Sequence, residues 1–420
     1  MRKYLKIFLP IALIFVAACS TASNEESSEI DEVTLESTEA VAEPTATPTP
    51  ITSEENPCVA FNLIDEVILS SVNNNVAPVT ETDLAYGPQD AKYTFITYSN
   101  FTCSYCALLE PILEELQAMY PEDVRVVFRY VTNSDVSILA AKAAEAANIQ
   151  GKFSEMKDVL FDNQATWYYF SDDEFRTWLD EQATSFDMDV EQFNADLDSE
   201  EIDNLITSNR ANVDKVGIVG TPTLFVNNRS YTQSRSLSLF AIMISVMENS
   251  DSELGSCPTI DTNLTGDLQA VISTDKGDIV VDLYEDEAPY AVAYFKYLAE
   301  NGWYDNNQIF ISTDEYVISG DPTNTSYGGP GFVFYSEVSE NQTLDEEGLL
   351  VSFNRLGTGY NSGLFMLTKS AVADFSGEFT IFGKVTEGMD ILQNMTERAF
   401  YIDPSEPFFD SITTITIQEK

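Results

Sequence analysis

An apolar strand pattern, Tyr93-Thr94-Phe95-Ile96-Thr97-Tyr98, runs almost at once into Cys103-Ser104-Tyr105-Cys106, after which Ala107, Leu108, Leu109, Ile112, Leu113 and Leu116 recur at helical spacing. A Cys-x-x-Cys pair therefore stands where a strand hands over to a helix N-terminus. The unpaired N–H groups and the positive end of the helix dipole at such a point favour a thiolate over a thiol. The two-residue spacer keeps both sulfurs within one turn and leaves the first nearer the exposed end. Cys103 is the expected attacking sulfur and Cys106 the resolving one. Zinc would need four ligands, and the chain has no histidine and no second Cys-x-x-Cys, so no metal is expected. A purely structural bridge is the other reading of the pair.

The absence of histidine removes Ser-His hydrolysis, Cys-His proteolysis and imidazole acid–base chemistry together. A formal charge of −48 argues against nucleic acid as a partner, since phosphate binding draws on Lys and Arg. The 420 residues predict two or three domains with an internal linker.

At the N-terminus, Arg2, Lys3 and Lys6 precede the apolar stretch Ile7 to Val16, and Ala17-Ala18-Cys19 follows. Small residues directly before a cysteine resemble the lipobox of bacterial lipoproteins, which implies cleavage, lipidation of Cys19 and residence on the outer side of a bacterial membrane. A plain secretory signal ending in Cys is the alternative. Residues 20–57 hold ten acids, no Lys or Arg, and repeated Ser, Thr and Pro, the composition of an extended tether. A second Ser/Gly/Pro/Thr-rich stretch at 251–267 separates two differently patterned regions, predicting a folded domain over 58–250, with its core at about 85–250, and another over 268–420.

In the first region the strand, the Cys-x-x-Cys and the helix are followed by a strand Val124 to Val131, a long helical stretch, and Val219-Gly220-Thr221-Pro222-Thr223-Leu224-Phe225-Val226. The stretch from about Ala85 to Asn249 resembles the DsbA-like thioredoxin-fold disulfide oxidoreductases. The resemblance implies an α/β thioredoxin fold with a helical insertion from about Ser134 to Asp214. It also implies a cis-proline loop at Thr221-Pro222, whose backbone would pair with an extended substrate beside the active sulfurs. Two positions depart from the family pattern: Ser104-Tyr105 lacks the histidine of strongly oxidising relatives, and Thr97 stands where many relatives carry an acidic residue. Pro111 is expected to interrupt the active-site helix.

Cys58 and Cys257 lie just outside the two ends of this region. In an oxidising envelope they can join as a structural clasp. Two free thiols, or a second exchange pair relaying electrons to Cys103–Cys106, are the competing readings, and the lack of a Cys-x-x-Cys partner or a helix-start context favours the clasp.

The second region opens with a hairpin pattern, Ser273 to Tyr284, and a helix over Ala291 to Glu300. It continues through Gly302-Trp303-Tyr304-Asp305, Gly320-Asp321-Pro322, Ser362-Gly363-Leu364-Phe365-Met366 and Phe379-Thr380-Ile381-Phe382-Gly383-Lys384-Val385. This ordered series resembles the cyclophilin peptidyl-prolyl isomerases and implies an all-β closed barrel of eight strands capped by helices. The family's catalytic arginine falls at Ser312, its glutamine at Leu364, and its histidine at Phe379. An apolar groove without the polarising group is expected, able to hold an extended peptide but not to speed prolyl isomerisation. Arg355 is the residue that could act as a relocated donor.

The expected protein is thus a lipid-anchored envelope thiol–disulfide oxidoreductase with a client-binding barrel. Unfolded or cysteine-containing secreted proteins, and a membrane or soluble redox partner that recycles the cysteines, are its expected partners, and no dissociable cofactor is implied. An active isomerase with an unusual site and a non-enzymatic client-binding protein are the alternatives.

Overall fold

Strands buried on both faces read as near-continuous apolar runs, and two such runs organise the first region. The computed structural model describes residues 58–61, 68–249, 254–264, 266–338, 343–353, 360–375, 379–398 and 410–420. The signal segment, Cys19, the tether and Arg355 all lie outside the described residues. The first elements are β1 (Cys58–Ala60), β2 (Leu69–Val72), β3 (Leu84–Tyr86), β4 (Tyr93–Ser99), α1 (Ser104–Met119) and β5 (Val124–Tyr130). Six helices follow: α2 (Asp135–Ile149), α3 (Phe153–Asp162), α4 (Gln164–Trp167), α5 (Asp172–Ser185), α6 (Val190–Leu197) and α7 (Glu200–Val216). The region ends with β6 (Thr223–Val226), β7 (Arg229–Tyr231) and α8 (Leu237–Glu248).

β4 pairs in parallel with β5, from Tyr93 opposite Val124 to Ser99 opposite Tyr130, and antiparallel with β6. The full sheet runs β2-β7-β6-β4-β5-β3. α1 supplies the crossover between the two parallel strands and buries Leu109, Leu113 and Leu116. It carries straight through Pro111, contrary to the expected interruption. Pro111 withholds one N–H from the ladder, but the buried face on either side holds the helix together.

The inserted helices are bounded by their own polar residues. Ser134 and Ser171 make capping boxes with Ser137 and Glu174, Asp189 and Ser199 cap α6 and α7, and Gly217 ends α7 in the left-handed region at φ 80°. α2 buries six alanines, whose small side chains let neighbouring helices approach closely.

The second region comprises β8 (Leu268–Thr274), β9 (Gly277–Leu283), α9 (Pro289–Glu300), β10 (Ile311–Ser312), β11 (Tyr316–Ser319), β12 (Phe332–Tyr335), β13 (Leu349–Ser352), β14 (Tyr360–Asn361), β15 (Phe365–Thr368), β16 (Thr380–Glu387), α10 (Met389–Gln393) and β17 (Ile412–Glu419). Eight strands form one antiparallel sheet in the order β10-β11-β15-β13-β16-β9-β8-β17. The residues just before β10 meet the start of β17, where Ile309 N–H donates to Asp410 O at 2.9 Å and Ile412 N–H to Asn307 O at 2.7 Å. The two ends of the curved sheet are thereby joined. Inside it, Phe295 of α9 packs against Tyr304, Phe365 and Phe382.

β1 lies in neither the thioredoxin sheet nor the eight-stranded one. It pairs antiparallel with β12, Cys58 opposite Phe334, in a three-stranded sheet β1-β12-β14. Cys58 and Cys257 are disulfide-bonded, with Cα atoms 5.8 Å apart. Phe61 N–H donates to Gly331 O, and the N–H groups of Leu254 and Gly255 donate to Pro330 O. Gly331 is needed there: it sits at φ +89°, and a Cβ would meet Gly255 O at 2.7 Å. Both segments flanking the thioredoxin region are therefore bonded to one stretch of the barrel, so the residues 58–60 assigned from sequence to the first domain belong to the second domain's small sheet. Of the expected linker, Leu254, Ile260 and Leu264 pack on the barrel core.

Candidate active site

The β4-to-α1 junction is built by Asn100. Its Oδ1 accepts from the N–H and the hydroxyl of Thr102, both at 2.9 Å, while its own N–H donates to Cys106 Sγ at 3.4 Å. Cys103 is the residue that caps α1, with extended backbone (φ −96°, ψ 118°), and its carbonyl accepts from the N–H groups of Cys106 and Ala107. The orphan N–H groups of the first turn thus lie beside its sulfur.

Both cysteines are free thiols; Cys103 is partly exposed and Cys106 buried. The two thiols differ in acidity. Burial opposes ionisation of Cys103, but hydrogen bonding with Thr221, with Cys106, and with the backbone N–H groups of Cys106 and Tyr105 outweighs it and holds its pKa below the ordinary cysteine value. Burial pushes Cys106 up to about 12. The accessible sulfur is thus the more acidic of the two, and the buried one holds its proton more tightly.

The Thr221–Pro222 peptide is cis, and the Cys103 S–H donates to Thr221 O at 3.4 Å. The four site residues of this region proposed from sequence are therefore brought together. Gln164 of α4 also reaches the junction, donating through Nε2 to Phe101 O at 2.6 Å and Cys103 O at 3.1 Å. Sequence reasoning missed both Asn100 and Gln164. Asn100 left a signal, since an Asn two residues before a polar N–H is a turn former. Gln164, 61 residues from Cys103, left none. Several large apolar side chains on the segments that carry the site are exposed: Tyr105 and Leu108 on α1, Val219 before the cis-proline loop, and Tyr168 and Tyr169 directly after α4.

Between α1 and α3 lies a charged cluster in which Lys157 and Glu110 are buried while Glu114 and Asp158 reach solvent. Lys157 of α3 pairs with Glu114 and with Asp158 at 2.7 Å, and faces Glu110 at 3.8 Å. Burial raises Glu110 to about 7 despite Lys157. Burial pulls Lys157 down, yet Glu110, Asp158 and Glu114 together keep its ammonium above the ordinary lysine value. Thr97, at the acidic position of the family pattern, is buried.

The barrel treats its corresponding positions differently. Ser312, Leu364 and Phe379 are all buried, and Leu364 and Phe379 belong to an apolar cluster with Phe310, Met366 and Ile381. Phe353 stacks on Phe379 with ring centroids 5.2 Å apart. At the position read from sequence as that of the family's arginine, Ser312 Oγ accepts from Lys369 Nζ at 3.0 Å, and the same ammonium donates to Thr313 O at 2.9 Å and Met395 O at 3.3 Å. Three hydrogens meet three acceptors, so this cation is fully engaged. Among the described residues, the three positions Ser312, Leu364 and Phe379 are buried.

Comparisons with known proteins agree with these two architectures. A thioredoxin family model matches residues 79–245, and a model of the cyclophilin type peptidyl-prolyl cis-trans isomerases matches residues 269–416. A Na(+)/H(+) antiporter NhaA of Herminiimonas arsenicoxydans is 34% identical over 149 residues, which are 36% of this chain and 23% of the antiporter. The chain thus spans under a quarter of the length of the antiporters it matches. Peptidyl-prolyl cis-trans isomerase-like 1 of Rhizopus delemar is 32% identical over 131 residues, 30% of this chain and 79% of that protein. The crystal structure of Wolbachia pipientis α-DsbA1 superposes with a TM-score of 0.38 at 18% identity, covering 43% of this chain and 98% of that one. The chain belongs to the cyclophilin-type peptidyl-prolyl isomerase family through its second region, and carries ahead of it a DsbA-like thioredoxin domain.

Proposed function

We propose that the protein is an extracytoplasmic thiol–disulfide oxidoreductase that acts on cysteine-containing protein clients, held to a membrane by a lipid on Cys19. Cys103 thiolate attacks a client disulfide, forming a Cys103–client S–S bond and expelling one client thiolate. Cys106 then loses its proton and attacks Cys103 Sγ, forming the Cys103–Cys106 disulfide and expelling the second client thiolate. The client gains two electrons and two protons, and the protein's dithiol loses them. The reverse sequence, started from the oxidised pair, oxidises a client dithiol, and a separate redox partner resets the pair. Thr221 and Pro222 contribute backbone to an extended client, and the exposed Tyr105, Leu108, Tyr168, Tyr169 and Val219 offer it an apolar surface.

The observation that carries this reading is the split between the two sulfurs at one helix start, Cys103 accessible with its pKa lowered and Cys106 buried with its pKa raised. Replacing Cys106 with Ser tests it. The variant should accumulate mixed disulfides on Cys103 with a disulfide-bearing peptide, and Cys103→Ser should accumulate none; no adduct in either variant would leave the pair a structural bridge.

The barrel, in the same reading, serves clients or domain packing and not prolyl isomerisation. The buried Leu364 and Phe379 and the engaged Lys369 support this, since a twisted prolyl amide needs free donors aimed at it. A protease-coupled assay on the full chain should leave prolyl exchange near its uncatalysed tens to hundreds of seconds.

A further inference from the structure

The short helix α4 and the two residues after it carry four side chains in three different surroundings. Trp167 is fully buried, stacks on Phe175 at 4.8 Å, and donates through its indole N–H to Leu160 O at 2.7 Å, which fixes α4 to the helical insertion. Tyr168 and Tyr169, directly after it, are exposed and meet edge to face at 5.0 Å. Gln164, at the start of α4, sends one amide nitrogen to two backbone carbonyls of another element, Phe101 O and Cys103 O.

Those two carbonyls bracket the turn that presents the attacking sulfur. The Cys103 carbonyl is the one that opens the α1 ladder through Cys106 and Ala107 N–H. Where it points sets where the first-turn N–H groups point, and these are the groups that stabilise the Cys103 thiolate. Asn100 holds the turn from within through Thr102. Gln164 holds it from outside, across 61 residues of sequence. An amide is suited to this because it offers two N–H donors on one nitrogen and brings no charge to compete with the thiolate.

We propose that Gln164 is a positioning residue for Cys103, holding the Phe101–Cys103 turn so that the sulfur stays against Thr221 and over the first-turn N–H groups. This rests on the oxidoreductase reading for its purpose, though the effect on the thiol is independent of it. In this role the amide acts on the turn through Phe101 O and Cys103 O.

The test is the pH profile of Cys103 alkylation by iodoacetamide in the full chain, with Cys106→Ser as the common background. Gln164→Leu should move the titration midpoint up by about half to one unit and slow alkylation at pH 7 about threefold to tenfold, the scale of losing one or two modest hydrogen bonds. Gln164→Glu should move it further in the same direction, because a carboxylate repels both carbonyls and the thiolate. Gln164→Lys restores a donor and should return the midpoint to or below the starting value. Trp167→Phe, which loosens α4 but keeps the amide, should move the midpoint less than Gln164→Leu does. Unchanged midpoints in folded Gln164→Leu and Gln164→Glu would overturn the proposal, as would a Trp167→Phe shift equal to that of Gln164→Leu. Mixed-disulfide trapping with Gln164 intact fails separately if the oxidoreductase reading is wrong, so the two failures are distinguishable.

Discussion

The thioredoxin domain and the barrel handle their candidate sites in opposite ways. Around Cys103 the chain leaves apolar side chains in solvent, with Tyr105 72% exposed, and surrounds one partly exposed sulfur with donors. Around Ser312 it does the reverse: Leu364 is 2% exposed, and the Lys369 ammonium is engaged by Ser312, Thr313 and Met395. One domain leaves a reactive thiol partly accessible, and the other buries Ser312, Leu364 and Phe379. The difference illustrates why activity has to be argued from a site and not from a fold.

Four perturbations sharpen that contrast. Removing the clasp has the largest expected effect. Its loop spans 199 residues, so Cys58→Ser or Cys257→Ser should cost up to about 5 kcal/mol in denaturant unfolding and free the edge of β12 that β1 covers. An unchanged midpoint would mean that the hydrogen bonds of Phe61, Leu254 and Gly255 hold the connection without the disulfide.

Lys157→Met comes next. It leaves Glu110 buried without its counter-charge, and thermal or denaturant unfolding should report a loss of about 3–5 kcal/mol in the thioredoxin domain with the barrel unaffected.

In the barrel, Leu364→Gln restores the family's residue type to a position that is now core. Burial of an unpaired amide together with lost apolar packing should destabilise by about 2–4 kcal/mol and yield no isomerase activity. A stable variant with accelerated prolyl exchange would break the comparison outright.

The smallest effect is a pH dependence. Glu145 is buried, and burial raises its folded-state pKa from 4.5 to about 7 despite its hydrogen bond with Tyr130. Between these values the folded protein keeps a proton that the unfolded chain releases. Its contribution is therefore fully present below about pH 4.5 and is lost as pH rises through 7. Stability should fall across that window by on the order of 2 kcal/mol, and Glu145→Gln should flatten this part of the profile in urea unfolding at stepped pH.

The parts of this molecule that were legible in sequence are those set by local pattern. The strand, Cys-x-x-Cys and helix lie within 27 residues of one another, from Tyr93 to Met119, and their periodicity carries the fold of that segment. The polar residues at the helix breaks, Ser134, Ser171 and Ser199, are likewise readable as caps. What was not legible depends on contacts between distant segments. Nothing near Cys58 announces that Val59 will lie opposite Val333, and α9 takes its N-terminal cap from the distant Glu337 carboxylate. The same holds for Lys369, whose bond to Ser312 crosses 57 residues and turns a missing arginine into an occupied position. At the barrel positions read from sequence, Ser312, Leu364 and Phe379, the burial of all three and the packing of Leu364 and Phe379 with Phe310 and Met366 likewise depend on segments far apart in the chain.

The central claim is that one pair of cysteines exchanges and the other does not. Equilibrating the full chain in glutathione buffers from strongly reducing to strongly oxidising, quenching with alkylating agent and mapping each cysteine by mass tests it most directly. Cys103 and Cys106 should titrate together as a two-electron couple while the protein stays folded, with Cys58–Cys257 remaining joined at ratios that fully reduce them. A Cys103–Cys106 pair that stays fixed across the whole series, or that titrates only together with Cys58–Cys257 as the protein unfolds, would contradict the account.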